Sequence, residues 1–242
     1  MNGGVHSFDV ATGVDGPGTR FVAFLAGCPL RCQYCHSPDT WYQRNGLPTT
    51  VDGLVTEIRR YERFIKVAGG GVTLSGGEPL QQPAFVRAVL TRCKELGLHT
   101  ALDTSGFLGD RADDALLDAT DLVLLDVKSG DPDTYRRVTR TGRLAPTVRF
   151  ARRLAERGTP IWVRFVLVPG LTDDIANVDA VADVVAGVPT VERVEVLPFH
   201  RLGAAKYAAL GLDFPLAETK PPGTELLNRV HKQFADRGLT VY

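Results

Sequence analysis

Three of the four cysteines in this 242-residue chain, Cys28, Cys32 and Cys35, lie within eight positions. Offsets of four and three residues let their sulfurs turn toward one centre in a short loop, and sulfur ligands favour iron–sulfur clusters, zinc or copper(I) over hard cations. A structural zinc ion normally takes four Cys or His ligands, and a [4Fe–4S] cluster held by protein alone takes four cysteines. The triad therefore predicts a metal centre with one coordination position left open for chemistry.

The alternative is a closed zinc site, completed by His36 or by the fourth cysteine, Cys93. His36 directly follows Cys35 and would have to double back to reach the same metal ion. Cys93 falls on the apolar face of a helix predicted over 83–96, where a cysteine behaves as a small buried hydrophobe. We therefore favour the open centre.

Other polar motifs each follow a predicted strand. They read Ser75-Gly76-Gly77-Glu78, Asp103-Thr104-Ser105-Gly106, Asp126-Val127-Lys128 and Pro198-Phe199-His200. Active sites of parallel α/β folds lie at the carboxyl ends of the strands. We therefore expect these motifs and the cysteine loop to meet at one edge.

The Gly76-Gly77-Glu78 motif has two interpretations. By itself it is a turn between a strand and a helix. After a cysteine triad, its glycines would let the backbone approach a ligand closely because they lack a Cβ, and Glu78 would accept a hydrogen bond from an ammonium group. We favour the second interpretation, a site for the amino group of a methionine moiety.

Charged and hydroxyl groups follow neighbouring strands of the predicted sheet. Asp103, Thr104 and Asp126 place two carboxylates and a hydroxyl at adjacent strand ends. Unpaired buried carboxylates are costly, so these groups either face water or are neutralised, and we favour a bound cation together with Lys128. Lys128 and His200 can also hydrogen-bond a carboxylate or a ribose, although a lone histidine at a strand end is compatible with a structural role.

Two more residues are candidates for recognition. Arg164 lies in the otherwise apolar predicted strand 161–168, where an unpaired charge is not expected. Either a ligand carboxylate or a neighbouring acid must meet it. Asp15 lies at the tip of the glycine- and proline-rich stretch 13–20, which is either a plain turn or a contact with a partner.

The elements that must position these residues alternate along the chain. Strands are predicted at 21–25, 72–74, 99–102, 122–125, 161–168 and 194–197. Helices are predicted at 50–65 with Thr50 as cap, and at 83–96, 147–156 and 175–186. A last helix is predicted to carry Leu226, Val230 and Phe234 and to end at Gly238. This order predicts an α/β fold with a parallel sheet and outer helices. Hydrophobic periodicity alone does not distinguish an open doubly wound sheet from a barrel.

Composition narrows the class of protein. The 28 basic and 28 acidic side chains balance, so neither nucleic acid nor an anionic membrane is indicated as a partner. No apolar run approaches the length of a membrane span, and the first residues lack the features of a signal peptide. Crowded free thiols suit a reducing compartment. We expect one domain over residues 1–242, located in the cytoplasm.

From Ser7 onward the chain resembles the pyruvate formate-lyase-activating enzymes of the radical S-adenosylmethionine (SAM) superfamily. The Cys-x3-Cys-x2-Cys spacing, with Tyr34 before the last cysteine, is similar to the superfamily signature. Further similarity lies in the stretches 14–18, 69–78, 102–107, 121–128, 168–170 and 197–200. The resemblance covers nearly the whole chain.

This resemblance implies a partial (β/α)6 barrel of the radical SAM type, with a [4Fe–4S] cluster on Cys28, Cys32 and Cys35. SAM would chelate the fourth iron through its amino and carboxylate groups. The residues that would contact this cofactor are Tyr34, Gly76, Gly77, Glu78, Asp103, Lys128, Arg164 and His200. Asp103, Thr104 and Asp126 would hold a monovalent cation.

The resemblance also implies an activity and partners. One electron from the reduced cluster would cleave SAM, and the 5′-deoxyadenosyl radical so formed would abstract hydrogen from a glycine Cα of pyruvate formate-lyase. A flavodoxin or ferredoxin would supply the electron, and the chain would act as a monomer. We expect Asp15 to contact the glycine loop of the partner.

The segment between Cys35 and Val72 bears on the subfamily because it contains no cysteine. Relatives that activate other glycyl radical enzymes often carry an inserted ferredoxin-like domain with extra cysteine clusters. Its absence favours the pyruvate formate-lyase type. An activator of anaerobic ribonucleotide reductase is the alternative within the superfamily, and a non-catalytic zinc or iron–sulfur binding module is the alternative outside it.

Overall fold

The computed structural model describes residues 1–242 as eight strands and nine α-helices, with short 3-10 turns between them. The strands are Asn2–Thr12 (β1), Thr19–Leu25 (β2), Leu47–Thr50 (β3), Gly71–Gly76 (β4), His99–Thr104 (β5), Leu122–Asp126 (β6), Ile161–Leu167 (β7) and Val191–Pro198 (β8). The helices are Val51–Arg59 (α1), Glu62–Val67 (α2), Pro83–Glu95 (α3), Asp114–Asp118 (α4), Pro132–Thr139 (α5), Leu144–Glu156 (α6), Ile175–Ala186 (α7), Ala204–Ala209 (α8) and Thr224–Ala235 (α9).

The first of two compact units comprises residues 1–28, 40–104 and 108–124. Its strands follow the order β3-β1-β2-β4-β5-β6. β1 pairs antiparallel with β2 and β3, whereas β2, β4 and β5 are parallel neighbours. Phe21, Leu74 and Leu102 on the parallel strands have no exposed surface. Burial on both faces explains why these strands read as apolar runs.

The second unit comprises residues 29–39, 105–107 and 125–242. It contains the end of β6 and the parallel strands β7 and β8. Phe165 of β7 packs against Phe234 of α9, with ring centroids 5.8 Å apart. This contact shows that one face of the strand pair is covered by a helix.

Residues 240–242 lie along the side of β8 that β7 does not occupy. The N–H of Val194 donates to Thr240 O at 2.8 Å, and the N–H of Val196 donates to Tyr242 O at 2.9 Å. Val194 and Val241 form a parallel bridge. The backbone of β8 is therefore hydrogen-bonded on both sides.

The six predicted strands are confirmed as β2 and β4 to β8, and every polar motif begins within the last one or two residues of its strand. The helix predicted at 50–65 is two helices, because α1 ends at Arg59 and α2 begins at Glu62. Its predicted cap is confirmed, since Thr50 accepts a hydrogen bond from the N–H of Gly53. None of the nine helices has both the length and the apolar character needed to cross a membrane. The single domain stays a prediction.

Five further elements were not predicted in full. The residues before the turn at 13–18 form the long strand β1, and β3 pairs with it. The short helices α4, α5 and α8 carry too few apolar residues to show a clear period. Of these, α5 matters most for the site described next.

Candidate active site

Backbone hydrogen bonds within the first unit fix the chain as it reaches Cys28. The N–H of Gly27 donates to Thr40 O at 2.7 Å, and the N–H of Cys28 donates to Trp41 O at 3.0 Å. Gly27 has a φ of +101°, which few residues other than glycine adopt. Cys28 is half-buried and forms no disulfide bond. The position of this cysteine is therefore set by main-chain geometry.

Gly76 and Gly77 lie at the end of β4, against the backbone that precedes Cys28. Gly76 has a φ of +114°, and a Cβ built on it would lie 2.3 Å from Leu25 N. A Cβ on Gly77 would lie 2.5 Å from Gly27 O. The close approach that requires glycine at both positions is thus that of the chain's own backbone. Their predicted contact with SAM stays a prediction.

Glu78 is almost fully buried and serves the local structure. Its carboxylate accepts hydrogen bonds from Thr104 Oγ1 at 2.6 Å and from the N–H of Leu80 at 3.1 Å. The second bond caps the 3-10 turn Pro79–Gln81. The carboxylate therefore joins the ends of β4 and β5, and its predicted role with an ammonium group stays a prediction.

Asp103 and Thr104 occupy the end of β5. Asp103 is half-buried and accepts a hydrogen bond from Ser75 Oγ at 2.6 Å. The Thr104 hydroxyl, which is buried, points toward Glu78. Within the first unit, the structure thus brings together the polar residues that follow β4 and β5.

A buried arginine holds the turn that carries Asp15. Arg20 has no exposed surface. Its guanidinium donates to Thr73 Oγ1 and to Val72 O, both at 2.6 Å. Thr73 in turn donates to Asp15 O at 2.7 Å. Burial lowers the pKa of Arg20 to about 10, although Asp15 and Asp121 act to raise it. The buried guanidinium of Arg20 and the hydroxyl of Thr73 therefore connect the turn at 13–18 to the sheet.

In the second unit, α5 holds the loop that carries Cys32 and Cys35. The N–H of Arg31 donates to Thr139 O, and the N–H of Gln33 donates to Val138 O, both at 2.9 Å. These carbonyls belong to the last turn of α5, where helical carbonyls lack an internal partner. A signal in the sequence could have found this helix, because Asp131 caps it and Pro132 begins it.

The loop itself makes a tight turn between its two cysteines. The N–H of Cys35 donates to Cys32 O at 3.0 Å. Cys32 is buried, Cys35 is half-buried, and neither forms a disulfide bond. Burial raises the pKa of the Cys32 thiol to about 12, although nearby Lys128 lowers it. Because cysteine binds metal as a thiolate, a metal ion must displace this proton.

Lys128 and Asp126 form an ion pair after β6. Lys128 Nζ lies 2.6 Å from Asp126 Oδ2, with side-chain exposures of 11% and 24%. Burial acts to lower the pKa of Lys128, but the Asp126 carboxylate together with Tyr34 and Cys32 raises it more, and the pKa lies well above its usual value. The ammonium also lies 5.6 Å from the ring centroid of Tyr34. Lys128 therefore carries its positive charge beside the cysteine loop.

Tyr34 is buried, and its hydroxyl has no hydrogen-bond partner. A buried hydroxyl without a partner is costly and needs an explanation. Burial also raises the pKa of Tyr34 well above its usual value, so the group stays a neutral donor. This orphaned donor marks the cysteine loop as a place where a further group is expected.

Arg164 on β7 is met by a neighbouring acid. Its Nε lies 3.3 Å from Glu195 Oε2 on β8, and Arg193 Nη2 lies 2.6 Å from the other oxygen of Glu195. Arg193 also lies over the ring of Trp162 at 3.2 Å. The structure thus answers the question of what meets Arg164, and the guanidinium shares one carboxylate with a second arginine.

His200, which follows β8, lies beside His36, which directly follows Cys35. Their rings meet edge to face at 4.9 Å, and His200 is exposed. Burial lowers the pKa of His36, as do His200 and Lys206, while Asp39 raises it. Gly203 lies so close to the loop that a Cβ there would be 3.2 Å from Cys35 O. The segment after β8 therefore packs on the last cysteine.

Cys93 is fully buried on α3, which confirms its predicted place on the apolar face of that helix. Burial raises the pKa of its thiol to about 12. No group of three or more His, Cys, Asp or Glu side chains is arranged so that it could hold a single metal ion.

Comparison with known proteins decides the family. The radical SAM superfamily matches residues 22–180 of the chain. The chain is 41% identical over 230 residues to the pyruvate formate-lyase 1-activating enzyme of Escherichia coli (strain K12), covering 94% of this chain and 93% of that protein. The chain belongs to the family of pyruvate formate-lyase-activating enzymes, within the radical SAM superfamily. A second member, the pyruvate formate-lyase-activating enzyme of Clostridium pasteurianum, is also 41% identical, covering 95% and 96% of the two chains.

Solved structures place the fold in the same superfamily. A domain of a pyruvate-formate lyase-activating enzyme from Bacteroides vulgatus matches with a TM-score of 0.58 at 27% identity, covering 72% of this chain and 98% of that one. A radical SAM methyltransferase from Sphaerobacter thermophilus matches with a TM-score of 0.67 at 18% identity, covering 96% and 71%. The second likeness concerns the fold alone. The predicted α/β fold of the radical SAM type is confirmed.

Membership of the radical SAM superfamily implies a [4Fe–4S] cluster and SAM. The residues present fit these groups in three respects. None of the cysteines of the loop is in a disulfide bond, the orphaned Tyr34 hydroxyl lies in the same loop, and the ammonium of Lys128 is held beside the Tyr34 ring. A [4Fe–4S] cluster takes each cysteine on a separate iron, so it does not require three sulfurs around one ion.

Proposed function

We propose that this protein activates pyruvate formate-lyase by removing one hydrogen atom from a glycine Cα of that enzyme. The observation that carries the proposal is the high identity to two pyruvate formate-lyase-activating enzymes across nearly the whole chain. The bound cluster would supply one electron to SAM, and SAM would supply the 5′-deoxyadenosyl radical that takes the hydrogen atom.

Within this function the chain's own residues hold and orient the reactants. Cys28, Cys32 and Cys35 would be the ligands of the cluster, which leaves one iron for SAM. Lys128 and Arg164 are buried cations, and each can hydrogen-bond a carboxylate. Their paired acids fix both side chains in place before a ligand binds, and such preorganisation lowers the cost of binding.

The remaining contacts complete the proposed site. Tyr34 would donate its hydroxyl to a group in the cysteine loop, and His200, which is exposed, would hydrogen-bond SAM. Gly76, Gly77, Glu78 and Asp103 would line the same cofactor. We also propose that oxygens of Asp103, Thr104 and Asp126 hold a monovalent cation, since carboxylates and hydroxyls are suitable oxygen ligands.

Two protein partners belong to this proposal. Pyruvate formate-lyase would present a glycine-containing loop, with Asp15 and its turn as one contact. A flavodoxin or ferredoxin would donate the electron. We propose that the protein works as a cytoplasmic monomer.

A deuterium-transfer assay tests the function. The anaerobically reconstituted protein is mixed with dithionite, SAM and a peptide copied from the glycine loop of pyruvate formate-lyase, deuterated at the glycine Cα. We expect deuterium in the 5′-deoxyadenosine product, detected by mass spectrometry. Reductive SAM cleavage without any label from this or another glycyl radical enzyme loop would contradict the proposal.

The cysteine ligands are tested by a matched pair of substitutions. Cys32→Ala should abolish the iron–sulfur absorbance and all SAM cleavage, because it removes one of three ligands. Cys93→Ala should keep both, because that thiol is buried on α3. Iron analysis of the two purified variants decides the question, and an equal loss of iron in both would show that the ligand assignment is wrong.

A further inference from the structure

One stretch of the second unit is strongly basic although the chain as a whole is neutral. Residues 134–155 contain seven arginines and no acidic residue, in a chain with 28 basic and 28 acidic side chains. Four of these arginines lie exposed on the end of α5 and in the loop that follows, and we call them the arginine patch: Arg136, Arg137, Arg140 and Arg143. Like charges this close to one another are destabilising.

The arginine patch adjoins the cysteine loop directly. Backbone hydrogen bonds already described join Arg31 and Gln33 of that loop to the end of α5. Thr141, in the middle of the patch, donates its hydroxyl to Pro29 O at 2.8 Å. The Gln33 side chain donates to Arg137 O at 2.8 Å. The stretch that carries the four arginines is therefore bonded directly to the segment that carries Cys32 and Cys35.

Arg140 occupies a backbone conformation that normally requires glycine. Its φ is +61°, and it is the single residue other than glycine with positive φ in the chain. It ends α5 at the position where glycine is most common, because a Cβ is disfavoured there. Strain of this kind is often kept at functional sites. An arginine at this position gives up stability and contributes a charge beside the cysteine loop.

We propose that the arginine patch is the docking surface for an acidic one-electron carrier protein. This inference rests on the proposed function, in which each SAM cleavage consumes one electron that the chain must receive from outside. The carrier loses that electron, and the cluster on the cysteine loop gains it. Opposite charges on the two surfaces increase the rate of encounter and orient the carrier. The patch adjoins the segment that carries two of the proposed cluster ligands, Cys32 and Cys35.

The experiment compares two reductants. Reduced bacterial flavodoxin, an acidic protein, and dithionite, a small molecule, each drive cluster reduction in stopped-flow absorbance. The triple variant Arg136→Gln, Arg140→Gln, Arg143→Gln should reduce the flavodoxin-driven rate about tenfold at low salt. This difference should fade at about 1 M salt, where charges are screened. Dithionite-driven SAM cleavage should not change, because these arginines have no place in the proposed SAM site.

A matched control removes two exposed arginines of the first unit, as Arg59→Gln, Arg63→Gln. It should leave both rates unchanged. An unchanged flavodoxin-driven rate in the triple variant would overturn the docking proposal. So would a variant in which dithionite-driven activation of pyruvate formate-lyase falls while the flavodoxin rate holds, because the patch would then bind the substrate enzyme. Absence of dithionite-driven SAM cleavage in the unaltered protein would instead contradict the proposed function.

Arg140→Gly separates docking from structure. Glycine relieves the positive φ, so the midpoint of thermal unfolding should rise by about 2 °C. The flavodoxin-driven rate should nevertheless fall by about twofold to threefold at low salt, since one charge is lost. A more stable variant with the full flavodoxin rate would overturn the role of Arg140. This test does not depend on whether the triple variant folds.

Discussion

The cysteine loop has different surroundings before and after its first ligand, although backbone hydrogen bonds hold it on both sides. Cys28 follows backbone that packs against Gly76 and Gly77 so closely that no Cβ fits at either position. Cys32 and Cys35 lie instead in a unit where the neighbouring side chains are charged, with Lys128 paired to Asp126. Backbone contacts of the first kind leave no room for change and report on folding. Charged pairs of the second kind can be altered while the fold persists, and they report on function.

The largest effect is expected at Gly76. Gly76→Ala places a Cβ 2.3 Å from Leu25 N at a φ of +114°, which should lower the free energy of unfolding by about 3 kcal/mol or more. Gly13→Ala is the control, because its φ is +72° but nothing lies within 4 Å of its Cβ. It should cost about 1 kcal/mol. Urea unfolding measures both, and equal losses would show that the backbone packed against Gly76 does not make that position intolerant of a Cβ.

An intermediate effect is expected at Lys128. Lys128→Met removes the ammonium and leaves Asp126 unpaired, so the dissociation constant of SAM should rise about tenfold, which corresponds to about 1.4 kcal/mol. The free energy of unfolding should change by less than about 2 kcal/mol, because Asp126 retains access to water. The control Lys232→Met removes an exposed lysine paired with Asp236 and should change neither value. Calorimetry on the cluster-loaded proteins measures the affinity, and an unchanged SAM affinity in Lys128→Met would contradict the prediction.

The smallest effect concerns a carboxylate of the first unit that serves the fold alone. Asp121 accepts a hydrogen bond from the N–H of Thr100 at 2.9 Å and pairs with Lys94. Burial acts to raise the pKa of Asp121, but the bonds from Lys94 and Thr100 lower it below its usual value. Its stabilising effect is therefore complete above the usual pKa of a free Asp and is lost as the pH falls through the lower folded value.

Asp121→Asn should accordingly cost about 1 kcal/mol at neutral pH. The difference from the unaltered protein should shrink as the pH falls from about 5 toward about 3. Urea unfolding across this range measures it, with SAM affinity expected to stay the same at neutral pH. A difference that did not depend on pH would show that charge is not the cause.

The sequence predicted the parallel strands well for a physical reason. Strands buried on both faces must be apolar throughout, so the run from Phe21 to Leu25 and the strand after Pro160 stand out without other information. Glycine at 13, 16 and 18 correctly predicted a turn, since all three adopt positive φ. The placement of Cys93 followed from helical spacing alone.

The features that the sequence did not predict depend on tertiary contacts or on local charge, neither of which the overall composition shows. Only two residues of β1 are buried and its side chains do not alternate cleanly, so its pairing with β2 and β3 is what defines it as a strand. The basic stretch at 134–155 disappears in a net charge of zero. Glu78 has the chemistry of a ligand-binding group, and only the structure shows that Thr104 and Leu80 already occupy it. Which hydrogen-bond partner a buried polar side chain has depends on the tertiary structure.

The hydrogen bonds between β8 and residues 240–242 have a consequence for selectivity among peptides. Strand edges with free N–H and C=O groups recruit extended segments from other proteins by adding them as new strands. A protein that receives the glycine loop of a partner, as we propose, meets extended backbone at every activation. With its outer side already bonded, β8 offers no competing register for that loop. At β8 the chain therefore leaves recognition of that loop to side chains and shape.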